Sequence, residues 1–400
     1  MKKIAEGKTK IIFQNGSKDE VIILSKDKIT AGDGAKVNVI KDKGVYANKT
    51  TCNCYTLLNM CGIKTHFISG ISDDSFKALK CDMIPLEVVV RRIAFGSYLK
   101  RNPGVKEGYV FGDLLQEFFL KDDARHDPIM TYDEIIEAKL KAGKRIIKAS
   151  DLEFMIKEAK KIFKILERAW LLRDVTLVDL KAEFGITEHG ELVLADVIDN
   201  DSWRIWPGGK LTEMKDKQVY RNLSKVTKES LSKIADNYRW VADTTDDFCR
   251  KTAPHAVIFM GSEKDKSHAD EIIKVLKGFG IGFDVNILSA HKNTEKLLNM
   301  LKYYNHSYPY AVFIAVAGRS NALGPVLDGN TLYPVINCPP PGSAFGGMDI
   351  LSSLRLPSNM ACTTILEPGN AALAAVKILA QTNLPLWAKL NLHCDGIKGE

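Results

Sequence analysis

Four charged residues, Asp179, Lys181, Glu183 and Asp196, have the types and spacing to bind a metal ion and a phosphate. Residues 177–184 have the pattern of a strand, in which alternate side chains share a face. Asp179, Lys181 and Glu183 would therefore form a carboxylate–ammonium–carboxylate row. Carboxylates grouped against apolar backing need a cation, and their hard oxygen ligands suit Mg²⁺.

A hairpin is predicted to bring Asp196 to this row. The turn would lie at 188–190 and the second strand at 191–197. The alternative is an edge hairpin with one solvated face, on which alternating charges are ordinary. Trp203 and Trp206 flank Arg204 directly afterwards, and such a group is not typical of a solvated turn.

A second strand, within Met83–Arg101, is expected to carry an anion-binding group. Glu87 and Arg91 would share one face, and Gly96-Ser97 would end the strand. An arginine near a Gly-Ser turn can clamp a phosphate, because Ser and backbone N–H groups donate while Arg binds with two donors. The alternative is a strand end with a basic, solvated turn.

Glycine-containing segments near the N-terminus could also approach phosphate. Residues 4–24 predict a β-hairpin with its turn at Asn15-Gly16, and Gly7 lies among lysines. Residues 29–35 form a glycine-rich loop that carries Asp33. A short Gly/Lys run is more often a solvated strand end, and neither segment matches a dinucleotide or Walker motif.

Helices are predicted at 132–141, at 151–172 with an N-cap at Ser150, and from about 227 to 250. The second of these has apolar residues at helical spacing, which favours a packed face.

The composition changes at about 250–255, which predicts a linker between a domain of residues 1–250 and one of residues 251–400. The second domain alternates apolar strands with helices. The predicted strands are 255–261, 282–288 and 310–317, and the predicted helices are 267–279 and 294–304. This alternation favours a parallel sheet covered on both faces.

Three polar loops follow the predicted strands of the second domain: Gly261–Asp265, Ser289–Lys292 and Ala317–Asn321. Ligands bind at the carboxyl ends of such strands, so the loops predict one site. His291 lies in the second loop and could act as a base. The alternative is a surface histidine.

The length, net charge and cysteine content limit the class of protein. Four hundred residues suggest two domains, or three, and most of the net charge of +7 precedes His255. This mild, interspersed charge suits small anions and does not favour nucleic acid. The eight cysteines show neither zinc nor disulfide spacing, which indicates reduced thiols and the cytosol. Neither a signal peptide nor a membrane span is expected.

Long motifs in the chain resemble two known families. The segments EGKTK, ITAGDGA, MIPLEVVVRRIAFGSYLKRNPGVKEGY, LVDLKAEFG and LADVIDNDSWRIWP resemble SAICAR synthetase. The segments GSEKDKSHA, SAHK, VAGRSNALGPV and SSLRLPS resemble the CO₂-using class of AIR carboxylase. Their order is similar to that in the animal bifunctional enzymes of purine synthesis.

The resemblance implies an ATP-grasp-like synthetase domain followed by a three-layer α/β/α carboxylase domain. The carboxylase would add CO₂ to aminoimidazole ribonucleotide (AIR) without biotin, giving CAIR. The synthetase would join CAIR to L-aspartate with ATP and Mg²⁺, giving SAICAR. The resemblance also implies a cytosolic homo-octamer.

Individual roles in the synthetase follow from the same resemblance. Lys8 and Lys10 would contact nucleotide phosphates, Glu183 and Asp196 would hold Mg²⁺, Asp179 and Lys181 would line the site, Arg91, Ser97 and Arg204 would bind the ribonucleotide phosphate, and Asp33 and Asp216 would contact substrate.

In the carboxylase, the resemblance makes His291 the base, Lys292 and Ser320 the groups that hold CO₂, and Ser262, Asp265 and Ser289 the nucleotide contacts. Two departures from the family pattern are Lys264 in the first loop and the segment 339–347.

Two alternatives stay open. One is a nucleotide-binding scaffold in which one domain is inactive. The buried charges of the Asp179–Glu183 row disfavour it, because a scaffold has no need for groups that are costly to desolvate. The other is a synthetase fused to a mutase, which the loop AGRSNALGP disfavours.

Overall fold

The structure, a computed structural model, describes residues 2–31, 35–250, 253–342 and 344–398. The chain divides into two units, residues 1–250 and 251–400. Each unit has its own sheets and core.

The first unit contains both long and short strands. They are β1 (Lys2–Glu6), β2 (Lys10–Asn15), β3 (Ser17–Ser25), β4 (Lys28–Ala31), β5 (Lys36–Val39), β6 (Phe67–Ser72), β7 (Ser75–Leu79), β8 (Cys81–Ile93), β9 (Val110–Leu120), β10 (Ile129–Met130), β11 (Lys141–Ala142), β12 (Arg145–Ile146), β13 (Val175–Thr187), β14 (Leu192–Ala195) and β15 (Trp203–Pro207). The helices are α1 (Lys43–Met60), α2 (Ser97–Arg101), α3 (Tyr132–Glu137), α4 (Ala149–Leu171), α5 (Gln218–Arg221) and α6 (Lys228–Thr245).

Two antiparallel sheets organise this unit. One has the order β1-β2-β3-β7-β6, and the other has the order β10-β9-β8-β13-β14, with β15 also pairing with β13. The long strand β13 is buried over most of its length. Helix α4 packs on it, and Trp170 of α4 meets Trp203 edge to face at 5.3 Å. The predicted hairpin of β13 and β14 is confirmed.

The N-terminal segment differs from the predicted hairpin. The turn at Gly16 is confirmed, but the first predicted strand is two strands, β1 and β2, which pair with each other. The backbone turns at Gly7, whose N–H donates to the Lys10 carbonyl at 2.9 Å. The segment is therefore a three-stranded meander.

Three helix boundaries also differ from the predictions. Helix α3 ends at Glu137, and α6 ends at Thr245, where a 3₁₀ turn at Asp246–Cys249 follows. The predicted N-cap Ser150 lies inside α4. Lys148 occupies the cap position because the Asp151 carboxylate accepts its backbone N–H at 3.0 Å.

The second unit alternates strands and helices. The strands are β16 (His255–Met260), β17 (Gly282–Ile287), β18 (Ala311–Val316), β19 (Val335–Asn337) and β20 (Thr363–Thr364). The helices are α7 (Lys266–Phe279), α8 (Thr294–Ser307), α9 (Leu323–Asp328), α10 (Leu351–Leu354), α11 (Pro368–Leu379) and α12 (Leu384–Lys398).

These strands form a parallel sheet in the order β17-β16-β18-β19-β20. Alternate residues of β16 enter different cores: Ile258 packs with α7 and α11, and Phe259 packs with α8 and α9. The central strands β16 and β18 are almost entirely apolar because helices cover both faces, whereas the edge strand β17 carries Asp284 and Asn286. The predicted three-layer α/β/α fold is confirmed.

Candidate active sites

The charged row predicted on β13 lies against β8 in the centre of the first unit. Asp179 is paired with Arg91, and Glu183 is paired with Glu87. Arg91 Nη1 donates to Asp179 Oδ2 at 2.6 Å, and Lys181 Nζ donates to Glu87 Oε1 at 2.8 Å. The antiparallel register thus interleaves cations and carboxylates from two strands on one face.

Glu183 is almost fully buried and is surrounded by lysines. Lys181 and Lys121 both donate to its carboxylate. Burial alone would raise its pKa, but the charges of Lys181, Lys121 and Lys10 together lower the pKa of Glu183 to about 2. The group is therefore a carboxylate held in a cationic environment.

Asp196 follows β14 directly and lies next to Glu183, because Ala195 is the β-sheet partner of Glu183. Its carboxylate forms an ion pair with Lys10. Burial lowers the pKa of Lys10 to about 8, against the opposing charge of Glu183. One predicted metal ligand thus lies on β13 and the other directly after the neighbouring β14, and both lie near Lys10.

The donor set of Glu183 and Asp196 fits Mg²⁺. Within the described ranges, no group of three or more His, Cys, Asp or Glu side chains could hold a metal by itself. Mg²⁺ in nucleotide sites is usually bound by one or two carboxylates, with phosphate oxygens and water completing its shell. Two adjacent ionised carboxylates satisfy that requirement.

A cavity of about 180 Å³ opens beside the row. Its lining includes Glu87, Val89, Arg91, Ser97, Phe119, Asp127, Asp179, Lys181, Asp201, Ser202, Trp203, Arg204 and Arg221. Arg204 forms an ion pair with Asp179, and its guanidinium lies over the Phe95 ring at 5.6 Å. Gly96 has φ 66°, and a Cβ there would come within 2.9 Å of Arg204 Nη2. The glycine therefore leaves room for Arg204 next to Ser97.

Asp201, at the edge of this cavity, belongs to a second charged cluster. It accepts from Lys217 Nζ at 2.9 Å and from the Tyr238 hydroxyl at 2.5 Å, and Lys43 Nζ lies 3.9 Å away. Burial opposes ionisation, but Lys43 and Lys217 keep the pKa of Asp201 well below its usual range.

In the second unit, the ends of β16, β17 and β18 carry the three predicted loops. The strands are parallel neighbours, so these loops lie at the same edge of the sheet. The backbone N–H and hydroxyl of Ser262 donate to Asp265 Oδ2 at 2.9 and 3.3 Å, which closes the first loop into a helical turn. Ser262 is exposed and Asp265 is half-buried.

The second loop places its predicted catalytic side chains at the surface. His291 and Lys292 are exposed, while Ser289 is half-buried. The Ser289 carbonyl accepts the Asn293 N–H at 2.9 Å, so the loop is a compact turn before α8. This arrangement leaves the imidazole and ammonium groups accessible to a substrate.

The third loop rests on a buried amide network. Ser320 is exposed, but Asn321 is buried. Asn321 Nδ2 donates to Asn337 Oδ1 at 3.1 Å and to Ser353 Oγ at 3.0 Å, and Asn321 Oδ1 accepts the Gly324 N–H at 3.1 Å. The network orients the backbone from Asn321 to Gly324.

A separate cavity of about 440 Å³ borders the segment 339–347. Its lining includes His268, Glu271, Asp349 and Glu367. His291 and Lys292 are not part of this lining. The structure therefore brings the three predicted loops to one edge without placing these two residues in that cavity.

Comparisons with known proteins match both units. The family model of SAICAR synthetase matches residues 3–237, and that of AIR carboxylase matches residues 255–397. The chain is 44% identical over 392 residues to the bifunctional phosphoribosylaminoimidazole carboxylase/phosphoribosylaminoimidazole succinocarboxamide synthetase of Drosophila melanogaster, covering 98% of this chain and 91% of that protein. The chain belongs to this bifunctional family. It is an enzyme, and the scaffold alternative has no support.

Three further similarities agree with this assignment. The human bifunctional enzyme is 44% identical, and the match covers 97% of this chain and 92% of that protein. The crystal structure of the succinocarboxamide synthase from Ehrlichia chaffeensis is 33% identical with a TM-score of 0.55, covering 61% of this chain and 98% of that one. A SAICAR synthetase in complex with ADP is 32% identical with a TM-score of 0.52, covering 58% of this chain and 96% of that one.

Several side chains of the synthetase-like site were missed by sequence reasoning. Glu117 accepts from Arg91 and Arg101, and Lys121 contacts Glu183. Glu117 lies on β9, which pairs with β8, and Lys121 directly follows the last residue of β9. Their even spacing could have suggested one shared face, but not which strand that face would meet.

Six predicted residues of the synthetase are not among the described residues that line the cavity of about 180 Å³. Lys10, Glu183 and Asp196 belong to the ion pairs beside it, and the other three are Lys8, Asp33 and Asp216. Lys8 is exposed in the segment between β1 and β2. Asp33 lies outside the described residues. Asp216 is buried, accepts the backbone N–H groups of Ile205 and Gln218 at 3.0 and 2.8 Å, and does not line the cavity.

In the parts of the chain that the structure describes, no helix combines the length and apolar character needed to cross a membrane.

Proposed function

We propose that the chain catalyses two successive steps of purine synthesis. It carboxylates AIR with CO₂ to give CAIR, and it then joins CAIR to L-aspartate with ATP, giving SAICAR, ADP and phosphate. The observation that carries the proposal is the presence of both family matches in one chain, each over a unit with its own group of polar residues.

The ligation needs an activated carboxylate, because a carboxylate oxygen is not displaced by an amine. Transfer of the ATP γ-phosphoryl group to CAIR turns that oxygen into a phosphate leaving group, which the aspartate amine then displaces. Lys8, Lys10 and Lys181 would neutralise the phosphates, with Asp179 at the same face. The ion pairs around Glu183 show that this face already accumulates cations.

Glu183 and Asp196 would hold Mg²⁺. When bound, Mg²⁺ would neutralise charge on the nucleotide phosphates. The lysines that now contact these two carboxylates would then be available to phosphate oxygens.

Arg91, Ser97 and Arg204 would bind the ribonucleotide phosphate. Asp179 contacts both guanidinium groups, so one carboxylate is shared by two cations. The cavity lining balances four basic side chains with four carboxylates, so the guanidinium donors, and not an excess of positive charge, would bind the anion. Asp33 and Asp216 are proposed substrate contacts on resemblance alone, and the backbone bonds of Asp216 favour an indirect role.

The carboxylation needs a base and no metal-bound intermediate. C4 of the aminoimidazole is electron-rich and can attack CO₂, after which His291 would remove the C4 proton. Lys292, Ser320 and the backbone at Asn321–Gly324 would hold the new carboxylate. Ser262, Asp265 and Ser289 would bind the nucleotide, and neither biotin nor ATP would take part.

We also propose a cytosolic homo-octamer with the domain boundary at about residue 250. All eight cysteines are free, which suits a reducing compartment. Leu332, Phe345 and Met348 of the second unit are 103%, 71% and 61% exposed. Contact with another subunit would remove these apolar side chains from water, which would favour assembly.

The test is a coupled assay with one variant for each site. Glu183→Gln should abolish formation of SAICAR while CO₂ incorporation into AIR continues, because it removes charge from the metal site alone. The matched control is Glu188→Gln, in the exposed turn after β13. ATP-dependent ligation that is unchanged in Glu183→Gln would contradict the metal role.

His291→Ala should have the reverse effect: CO₂ incorporation should fall at least about 100-fold, since general-base catalysis contributes about 10²–10⁴-fold. Ligation of supplied CAIR should continue. His306→Ala, on the exposed part of α8, is the control. Normal carboxylation in His291→Ala would eliminate it as the base.

A further inference from the structure

The backbone at Asp196 has an unusual conformation for a residue with a side chain. Its φ is 65°, in the left-handed region that a Cβ disfavours. Such a conformation persists only where surrounding contacts hold it. Because Asp196 begins the segment that leaves the sheet between β14 and β15, which both pair antiparallel with β13, this conformation determines where its carboxylate points.

Two buried side chains contact the carbonyl oxygen of Asp196. His66 Nε2 lies 2.9 Å from this oxygen, and the Tyr55 hydroxyl lies 3.0 Å from it and 2.8 Å from the Ala195 carbonyl. A carbonyl oxygen only accepts, so His66 must carry its proton on Nε2. The peptide that follows Asp196 is thus held from two directions.

These two donors are themselves rigidly placed. Tyr55 is 0% exposed and His66 is 3% exposed, and their rings meet edge to face at 5.4 Å. Phe76 packs against both rings. The backbone of His66 is fixed as well, since its N–H donates to the Leu194 carbonyl at 2.8 Å and its carbonyl accepts from Leu79.

We propose that Tyr55 and His66 are positioning residues for the Asp196 carboxylate in the ligation site. By holding the left-handed peptide, they keep that carboxylate at Lys10 and beside Glu183, where the metal would bind. The inference rests on the proposed role of Asp196 as a Mg²⁺ ligand. Neither residue touches the substrates in this role, because both act through the Asp196 backbone.

The test compares variants that remove only the donor with one that disturbs only the packing. Tyr55→Phe and His66→Phe delete the donors and keep aromatic bulk, whereas His66→Gln supplies an amide N–H that can replace Nε2. Phe76→Leu alters the same aromatic cluster but contributes no hydrogen bond to Asp196. Denaturant unfolding, followed by the fluorescence of the tryptophans of the first unit, checks that each full-length variant is folded.

Two quantities are measured for each variant: the Mg²⁺ concentration that half-activates ligation, and the dissociation constant of Mn²⁺ in the presence of ADP, by electron paramagnetic resonance. We expect both to rise about 10–100-fold in His66→Phe and about 10-fold in Tyr55→Phe, the range seen when an outer-shell partner of a ligand is lost. His66→Gln should recover most of the loss, and Phe76→Leu should change neither quantity more than twofold.

Asp196→Asn separates this inference from the proposed metal role. If Asp196→Asn leaves Mn²⁺ affinity unchanged, the metal assignment fails. If Asp196→Asn weakens binding but His66→Phe and Tyr55→Phe behave like Phe76→Leu, only the positioning role is overturned.

Discussion

At the residue scale, the ion pairs between β8 and β13 affect both the proposed substrate binding and the stability of the first unit. The side chains of Arg91 and Asp179 are 3% and 6% exposed, and Glu117 shares Arg91 from the other side. Breaking a buried pair leaves an uncompensated charge, which costs far more than losing an exposed pair. The same arginine is proposed to bind substrate phosphate.

Arg91→Met should therefore destabilise the first unit by about 3–5 kcal/mol and abolish ligation. Arg92→Met is the matched control: its partner Glu167 lies 2.6 Å away, but both side chains are partly exposed, so about 1 kcal/mol or less should be lost. Denaturant unfolding followed by fluorescence is suitable because Trp170, Trp203, Trp206 and Trp240 all lie in this unit. Equal losses of unfolding free energy in Arg91→Met and Arg92→Met would contradict the expectation that the buried ion pair costs more to break than the exposed one.

Asp216 should give the first unit a distinctive pH dependence. Burial raises its pKa to about 6 from 3.8, although its backbone hydrogen bonds oppose the shift. The native state then binds the proton more tightly than the unfolded state does. The contribution of Asp216 to the free energy of unfolding should be complete below pH 3.8 and should be lost as the pH rises through about 6. The total loss should be about 3 kcal/mol.

Asp216→Asn should flatten this part of the pH profile, since the amide does not ionise. The measurement is the free energy of unfolding between pH 4 and 6.5 for wild type and Asp216→Asn, with the exposed Asp236→Asn as control. A difference between wild type and Asp216→Asn that is constant over this range would refute the raised pKa.

At the element scale, helix α9 must approach β19 closely for the third carboxylase loop to form. A Cβ on Gly324 would lie 1.7 Å from Asn337 Oδ1. Asn337 is fully buried and bonds Asn321, so it cannot move without disturbing that loop. The glycine is therefore required by packing, at the position where the loop meets the sheet.

Gly324→Ala should destabilise the second unit by about 1–3 kcal/mol, the usual cost of overpacking. It should also lower carboxylation by about 100-fold, as expected for a displacement near 1 Å at a reacting site. Gly278→Ala in α7 has no atom within 4 Å of the added Cβ, and it should be neutral or slightly stabilising. Carboxylation and the unfolding of each variant are measured, and ligation should be unchanged in both. Normal carboxylation by Gly324→Ala would contradict the prediction, because it would mean that the third loop keeps its active arrangement in spite of the added Cβ.

At the scale of the whole molecule, each unit has a separate core and a separate group of functional residues. A domain with its own core can in principle fold alone. We therefore predict that residues 1–250 ligate supplied CAIR and that residues 251–400 carboxylate AIR, each as a separate fragment. Both products are followed directly, with circular dichroism to verify folding. A folded fragment without its activity would mean that its site needs the other unit.

Much of the architecture follows from local patterns. The two-residue period of a strand places Asp179, Lys181 and Glu183 on one face, and the alternation of apolar strands with helices indicates the parallel sheet of the second unit. The predictions that are wrong are the unbroken first strand of the N-terminal hairpin and several element ends, such as the cap of α4. At that cap, the hydrogen bond that the Lys148 backbone N–H donates to the Asp151 carboxylate outweighs the preference of Ser150 for the cap position.

The sequence by itself determined the family, the fold of each unit and the residue types that each reaction needs. Only the tertiary structure decided which of these residues meet. Arg91 meets Asp179 through strand register, and His66 meets Asp196 across 130 residues of chain. The physical reason is that side-chain direction along a strand is a local property, whereas register, burial and contacts between distant segments depend on how the completed elements pack.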